Sequence, residues 1–273
     1  MKISVITITW NSATTLRDTL NSVLNQDYPD YEYIIIDGVS VDGTVDIIRE
    51  YEPKFKGRMK WISESDDGIY DAMNKGIALS SGEIVGTLNS DDFFSSPTVL
   101  TTIAQRFEKQ NTIDAVYGDV CYVSRDNLSR VIRFYSSRHF RRFWMRFGFM
   151  PAHPSFYCHK SVYEKFKLRA SSLGEGLNDT NSVFYNTSYK IAADFECLLR
   201  MIFVGRIKTS YIQKDFVTMR NGGVSSSGVK SHKQINKEHM RAFKENRVYS
   251  NYLFISLRYL YKIIELILGR IRY

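Results

Sequence analysis

The feature that most constrains this chain is the regular exchange of strand and helix patterns over its first half, with polar residues gathered where each strand pattern stops. "KISVITIT" is a short apolar strand run, after which Leu16, Leu20, Val23 and Leu24 recur at helical spacing. "YEYIIID" reads as a second strand ending in the turn "GVSVDGT", and Thr44 to Glu52 as a helix. "MKWIS" is a third strand, Tyr70 to Leu79 a helix, and "EIVGTLN" a fourth strand. Ser96-Pro97 opens the next helix, with proline near the first turn, where a missing N–H costs nothing; "DAVYGDVCYV" follows as a strand. Such alternation implies an α/β fold, a mostly parallel sheet covered by helices on both faces. Ligands of such sheets bind beyond the carboxyl ends of the strands. Asn11, Asp37, Asp66, Asp67, Asn89, Asp91 and Asp92 all follow predicted strands, so a polar site is expected along that edge.

The second half is less regular. "VIRFYSS" looks like a strand paired with the one before it, and "RHFRRFWMRFGF" is basic and aromatic. Residues 174–188 and the "RNGGVSSSG" segment read as loops, and "YKIAADFECLLRMIFVG" as a helix closed by Gly205. Near the end, Asn251, Arg258, Lys262, Glu265, Gly269 and Arg272 fall on one helical stripe, and nearly everything else there is apolar. Arg258, Lys262 and Glu265 interrupt the run too often for a membrane span. A helix lying on an acidic membrane surface fits this pattern. Packing on the protein's own core or on a dimer partner fits the periodicity as well.

Composition excludes several classes. With 273 residues, 44% of them hydrophobic, the chain can bury a real core, and disorder is not the expected state. The net charge of +8 favours anionic partners such as nucleotide phosphates or an acidic membrane, though solubility alone also accounts for it. No nucleic-acid fold pattern accompanies "RHFRRFWMRF", so nucleic acid is not expected as a partner. Cys121, Cys158 and Cys197 match no zinc spacing, and three thiols make a poor disulfide framework. They read as buried and reduced. The N-terminal run becomes amphipathic at Asn11-Ser12, unlike a secretory signal, so an intracellular location is expected.

Five constellations carry chemistry. "LNSDDFF" packs Asn89, Asp91 and Asp92 at the end of an apolar strand. Adjacent carboxylates repel unless a cation neutralises them, and a hard divalent ion prefers such oxygen ligands. A helix N-cap cluster is the competing reading. Asp37 could accept hydrogen bonds from a base or a ribose, or support an Asx turn. In "SESDDGIYDAMNKG", Asp66-Asp67-Gly68 turn beyond a strand, and Lys75 could offset diphosphate charge, or the acids could serve the helix dipole. Asp194 in "AADFECLLRM" could act as a general base if it ionises near working pH, or simply favour a helix start. His153 in "MPAHPSF" could contact diphosphate or metal, or support its loop.

Together, "SVITITWN", "IIIDGVSVDGT", "DGIYDAMNKG", "LNSDD", "HPSF", "ADFE" and "RNGGVS" occur in an order that resembles the family-2 inverting glycosyltransferases of GT-A fold, over roughly residues 2–226. The resemblance implies a GT-A domain over 1–226, with a nucleotide-sugar half (1–120) and an acceptor half (121–226), followed by a helical region over 227–273. It implies that Thr9, Asn11 and Asp37 hold base and ribose, and that Asp67 and Lys75 lie on the donor side. "NSDD" stands in place of the family's DXD motif, with Asn89 where the first acid is usual; this leaves Asp91 and Asp92 as ligands for Mn2+ or Mg2+. Asp194 matches the family's base, and Arg220 with "NGGVS" resembles a segment that closes over bound nucleotide. The implied donor is a nucleotide-diphosphate sugar, with uridine the family's commonest habit. The implied acceptor is a glycan or lipid-linked glycan in surface-polysaccharide assembly at the inner face of the cell membrane. A sugar-nucleotide nucleotidyltransferase would want a glycine-rich triphosphate loop that "TWNSATTLRDT" lacks. A silent scaffold subunit of an assembly complex is the other rival, and the joint presence of Asp91, Asp92 and Asp194 speaks against it.

Overall fold

A computed structural model describes residues 1–168, 183–222 and 229–258. Most of the expected 174–188 loop, residues 223–228 of the "RNGGVSSSG" segment, and residues 259–273 of the C-terminal helix lie outside the described residues.

Strands β1 (Ile3–Thr9) and β2 (Tyr31–Asp37) are buried along their whole length, as parallel strands covered on both faces must be. Their side chains alternate between two cores. Ile6, Ile8, Ile34 and Ile36 pack with Met73 and Ile77 of α3 (Ile69–Leu79). Ile3, Val5, Tyr33 and Ile35 pack with the apolar faces of α1 (Leu16–Leu24) and α2 (Thr44–Tyr51). β3 (Met59–Ser63) lies beside β2 and β4 (Ile84–Thr87) beside β1, all parallel. α4 (Val99–Lys109) adds its buried face to the second core.

Beyond β4 the pairing changes hand. β8 (Tyr157–His159) runs antiparallel to β4, and β6 (Ala115–Val123) antiparallel to β8. β9 (Thr209–Arg220) is parallel to β6, and β5 (Phe93–Phe94) is antiparallel to β9. The order is β3-β2-β1-β4-β8-β6-β9-β5, with β7 (Val131–Tyr135) antiparallel on β6, as the sequence predicted for "VIRFYSS". The sheet is thus parallel where helices alternate with strands and mixed elsewhere. β5 and β8 are too short to show a period, and the sequence reading misses both. β8 fits beside β4 because Gly86 has no side chain: a Cβ there would overlap the ring of Tyr157. α5 (Lys160–Lys165) follows β8 directly.

The helix expected over 189–205 is corrected at both ends. It begins at Ala193 as α6 (Ala193–Leu198) and continues over Leu199–Val204 with π-type bonding. The stretch before Ala193 is tied elsewhere, since Lys190, Ile191 and Ala192 donate their backbone N–H groups to the Glu238 carboxylate at 3.0, 3.0 and 2.9 Å. Gly205 is not a left-handed cap, having φ −74°; the left-handed residue is Arg206. Glycine is required at 205 because a Cβ there would overlap Phe166. Glu238 belongs to α7 (Val229–Glu245), which packs on α6 with the His239 ring stacked on Phe195 at 3.8 Å. A further helical segment follows over 252–258. The three cysteines are buried and free, as expected. Among the described residues, no helix is long and apolar enough to cross a membrane.

Candidate active site

A cleft of about 1700 Å³ opens beyond the carboxyl ends of the parallel strands. That is room for two substrates rather than one. Its wall is built first by the clasped loops after β1 and β2. Asn11 takes a left-handed conformation, φ 48°, and its Oδ1 accepts from the Val41 N–H at 2.9 Å while its own N–H donates to Ser40 Oγ at 2.7 Å. Thr9 Oγ1 is buried on this wall without a hydrogen-bond partner among the described residues. Trp10, 67% exposed, stands beside it. Gly38 leaves a gap between Trp10 and Asp66: a Cβ there would come within 2.7 Å of Asp66 Oδ2.

Three expected donor-side residues are placed differently. Asp37 is fully buried, and its carboxylate accepts from the Ser40 N–H at 3.0 Å, Ser40 Oγ at 2.5 Å and Ser63 Oγ at 2.6 Å. This is the Asx-turn role; its neighbour Gly38 faces the cleft instead. Lys75 is off the wall: its ammonium pairs with Glu64 at 3.0 Å and Asp71 at 3.3 Å and donates to Ser65 O at 2.7 Å. Asp67 is also off the wall, which Asp66 lines in its place. Lys75 has spent its charge locally, on acids that lie one turn away or on the preceding strand connection.

The acid loop Asn89-Ser90-Asp91-Asp92 follows β4 on the cleft wall. Asn89 Nδ2 donates to Asp92 Oδ2 at 3.1 Å, and Asp92 N donates to Asn89 O at 3.1 Å. Burial, and then the adjacent Asp91 charge, push the Asp92 carboxyl well above the usual carboxylate range. Asp91 itself is half-buried. Arg220, at the end of β9, braces this loop from behind. Its guanidinium pairs with Asp18, donates to the Asp91 carbonyl, and lies 5.3 Å from the centre of the Phe93 ring. Arg220 is buried, so its immediate task is to hold the acid loop.

The cleft is also lined by Asp194, in the first turn of α6. Its Oδ1 accepts from the Phe195 N–H at 2.7 Å, and the Tyr70 hydroxyl is a second partner. Burial, reinforced by the Glu238 charge, raises the Asp194 carboxyl from 3.8 to about 6. A carboxylate tuned this way can take a proton near neutral pH. His153 lines the cleft, but its Nε2 is bonded to the Tyr185 hydroxyl at 2.8 Å, and burial lowers its pKa to about 4. It is therefore neutral and offers no positive charge to a diphosphate.

The residues of the acid loop suit a hard divalent ion in type. The loop offers only oxygen ligands, and the Arg220 charge and its backbone N–H offset the Asp92 carboxylate only in part, since burial and Asp91 still raise it. Among the described residues no cluster of three or more His, Cys, Asp or Glu could hold a metal by itself. The sequence reading missed Trp10, Tyr70 and Glu238. An indole directly after a strand end was a usable signal for Trp10, whereas nothing local marks Glu238.

A sequence model described as Glycosyl transferase family 2 matches residues 4–168. A PGL/p-HBAD biosynthesis glycosyltransferase of Mycobacterium bovis is 35% identical over 117 residues, 43% of this chain and 46% of that protein. An uncharacterized glycosyltransferase of Mycobacterium tuberculosis is 39% identical over 117 residues, 42% of this chain and 44% of that protein. The match thus spans about half the length of these curated relatives. S. aureus TarS 1–349 in complex with UDP-GlcNAc superposes with a TM-score of 0.62 at 16% identity, over 89% of this chain and 66% of that one. A Pyrobaculum calidifontis mannosyltransferase in complex with GDP-Man and Mn2+ gives 0.58 at 14% identity, over 97% and 80%. The structural likenesses establish a GT-A type of fold. With the sequence match covering more than half of its residues, this chain belongs to glycosyl transferase family 2.

Proposed function

We propose that this protein transfers a sugar, with inversion, from a nucleotide diphosphate to an acceptor hydroxyl. One observation carries the reading. A single cleft brings Asp91, after β4, and Asp194, at the start of α6, onto its wall, and Asp194 is tuned to take a proton near neutral pH. The gap between Trp10 and Asp66 over Gly38 suits a nucleoside: the indole offers a stacking face and the carboxylate an acceptor for N–H or hydroxyl. Thr9 Oγ1 supplies an unused hydroxyl on the same wall.

Asp91, with Asp92 behind it, would hold Mn2+ or Mg2+; such an ion would neutralise charge on the departing diphosphate. Arg220 keeps the acid loop in place. Asp194 accepts the proton of the acceptor hydroxyl as that oxygen attacks the anomeric carbon from the face opposite the diphosphate. Tyr70 and the Phe195 N–H orient the Asp194 carboxylate for this step. The related structures that hold UDP-GlcNAc and GDP-Man support a nucleotide-sugar donor, and we propose a uridine donor with a lipid-linked glycan acceptor.

The test is nucleotide release from a panel of UDP-, GDP- and dTDP-sugars, with Mn2+ and with chelator, in the presence of a lipid-diphosphate sugar. Turnover of one donor that disappears with chelator and with Asp91→Ala supports the reading. A folded protein silent across the panel refutes it.

A further inference from the structure

Two segments far apart in sequence meet beside the cleft, whose lining includes Phe149 and Arg258. The Phe147 ring stacks on Phe254 at 4.8 Å with an interplanar angle of 15°, and Tyr249 meets Phe254 edge-on at 6.2 Å. Trp144 lies 5.5 Å from Phe147 and 6.0 Å from Phe143. Around this aromatic joint, Phe143, Trp144, Tyr249, Tyr252, Leu253 and Leu257 leave between 40% and 69% of their surface in contact with solvent. Exposed apolar residues scattered singly need no explanation, but a contiguous patch of large ones does.

The two segments carry charge of one sign. The segment Arg138–Phe149 contains four arginines and one histidine and no acid, and 249–258 contains no acid either. Arg138, Arg141 and Arg142 are exposed. The helical segment 252–258 is also turned inside out relative to an ordinary surface helix. Its charged residue Arg258 is buried, bonded to Asn236 Oδ1 at 2.7 Å and His239 Nδ1 at 3.1 Å, while Tyr252, Leu253 and Leu257 face outward. Charge is turned toward the protein and hydrocarbon toward the surroundings, which favours a neighbour of low polarity. A low-polarity interior beneath an anionic surface is what a bilayer with acidic headgroups presents.

We propose that this aromatic and arginine surface, built by residues 138–149 and 249–257, docks the protein on an anionic lipid bilayer. The rings enter the headgroup region, where aromatic side chains are favoured, and Arg138, Arg141 and Arg142 meet lipid phosphates. The surface adjoins the catalytic cleft. A second cavity of about 230 Å³, lined among others by Phe140, Trp144, Phe147 and Leu257, shares Tyr135, Phe149 and Met150 with the cleft wall. A lipid-anchored acceptor could thus pass from the bilayer to the cleft along apolar side chains. The docking surface stands independently of the transfer reaction, and its loss would leave donor turnover with a soluble acceptor intact.

The experiment is co-flotation of the full chain with vesicles of phosphatidylcholine alone and of phosphatidylcholine mixed with phosphatidylglycerol. Wild type is compared with Arg141→Gln/Arg142→Gln and with Phe143→Ser/Trp144→Ser, with circular dichroism and donor turnover as folding controls. Wild type is expected on the anionic vesicles and much less on the neutral ones. Each double variant is expected to reduce partitioning by roughly tenfold or more. Absence of wild-type binding overturns the proposal. So does binding that both variants retain, or binding lost only when residues 259–273 are removed. A wild-type dimer that the aromatic variant dissociates, with vesicle binding unchanged, would give the face to a second copy of the chain and also overturn it.

Discussion

Replacing Asp194 with asparagine should separate catalysis from stability, in opposite directions. The Asp194 carboxyl titrates at about 6 in the folded protein against an ordinary value of 3.8. The folded state therefore holds the proton more tightly than the unfolded chain, and the sign follows: the cost of ionising Asp194 is absent below pH 3.8, grows as pH rises toward about 6, and is complete above it. At about 1.4 kcal/mol per pH unit, the full cost is about 3 kcal/mol. Asparagine removes this cost and keeps an oxygen for the Phe195 N–H; the charge assistance of that bond is already contained in the value of about 6. The expectation for Asp194→Asn is a gain of about 3 kcal/mol at pH 8, or roughly 6–12 °C in melting temperature. No gain is expected at pH 3.5 to 4. Transfer should fall by about 10²- to 10⁴-fold, as for loss of a general base. Thermal melts of both proteins across this pH range, in parallel with product formation, read both effects. Parallel pH–stability curves for the two proteins would refute the burial argument, and retained transfer would refute the base assignment. Wild-type transfer should itself rise with pH through about 6 as Asp194 ionises.

Three further outcomes follow from the same geometry. Glu238→Ala should destabilise the fold by about 3 kcal/mol, because it strips a charged acceptor from the N–H groups of Lys190, Ile191 and Ala192 ahead of Asp194; chemical denaturation measures it, and a change under 1 kcal/mol would show that this clamp is dispensable. Gly86→Ala should cost about 1–3 kcal/mol by forcing the Tyr157 ring from its slot, with loss of β8 pairing visible in hydrogen exchange; unchanged exchange at Cys158 would contradict the close approach. Asp91→Ala should abolish Mn2+-dependent donor turnover while melting as wild type or above it, since it removes a like charge beside Asp92. Calorimetry with Mn2+ and nucleotide diphosphate that is unaffected by the substitution would move the ion elsewhere.

Much of the fold was legible because its cause is local. β1, β2, β3 and α1 to α4 bury continuous apolar runs or single faces, and a period of two or 3.6 in the sequence records that burial directly. The edge on which a site should lie was legible too, since strand–helix alternation fixes the sheet's direction and hence its carboxyl ends. Thr9, Asn11, Asn89, Asp91, Asp92, His153, Asp194 and Arg220 line one cleft.

The sequence by itself determined the alternating layers, the acidic strand end at Asp91-Asp92 and an acid at the start of α6. Only the tertiary structure decided which side chains remained free to act. Asp37 is consumed by Ser40 and Ser63, Lys75 by Glu64 and Asp71, and the His153 imidazole is made neutral by burial against Tyr185. It likewise set the Asp194 carboxyl near 6, through burial and a carboxylate on a helix that no local pattern connects to it. The reason is that periodicity reports how one element meets the core, whereas hydrogen-bond partners and desolvation belong to whatever the fold brings alongside.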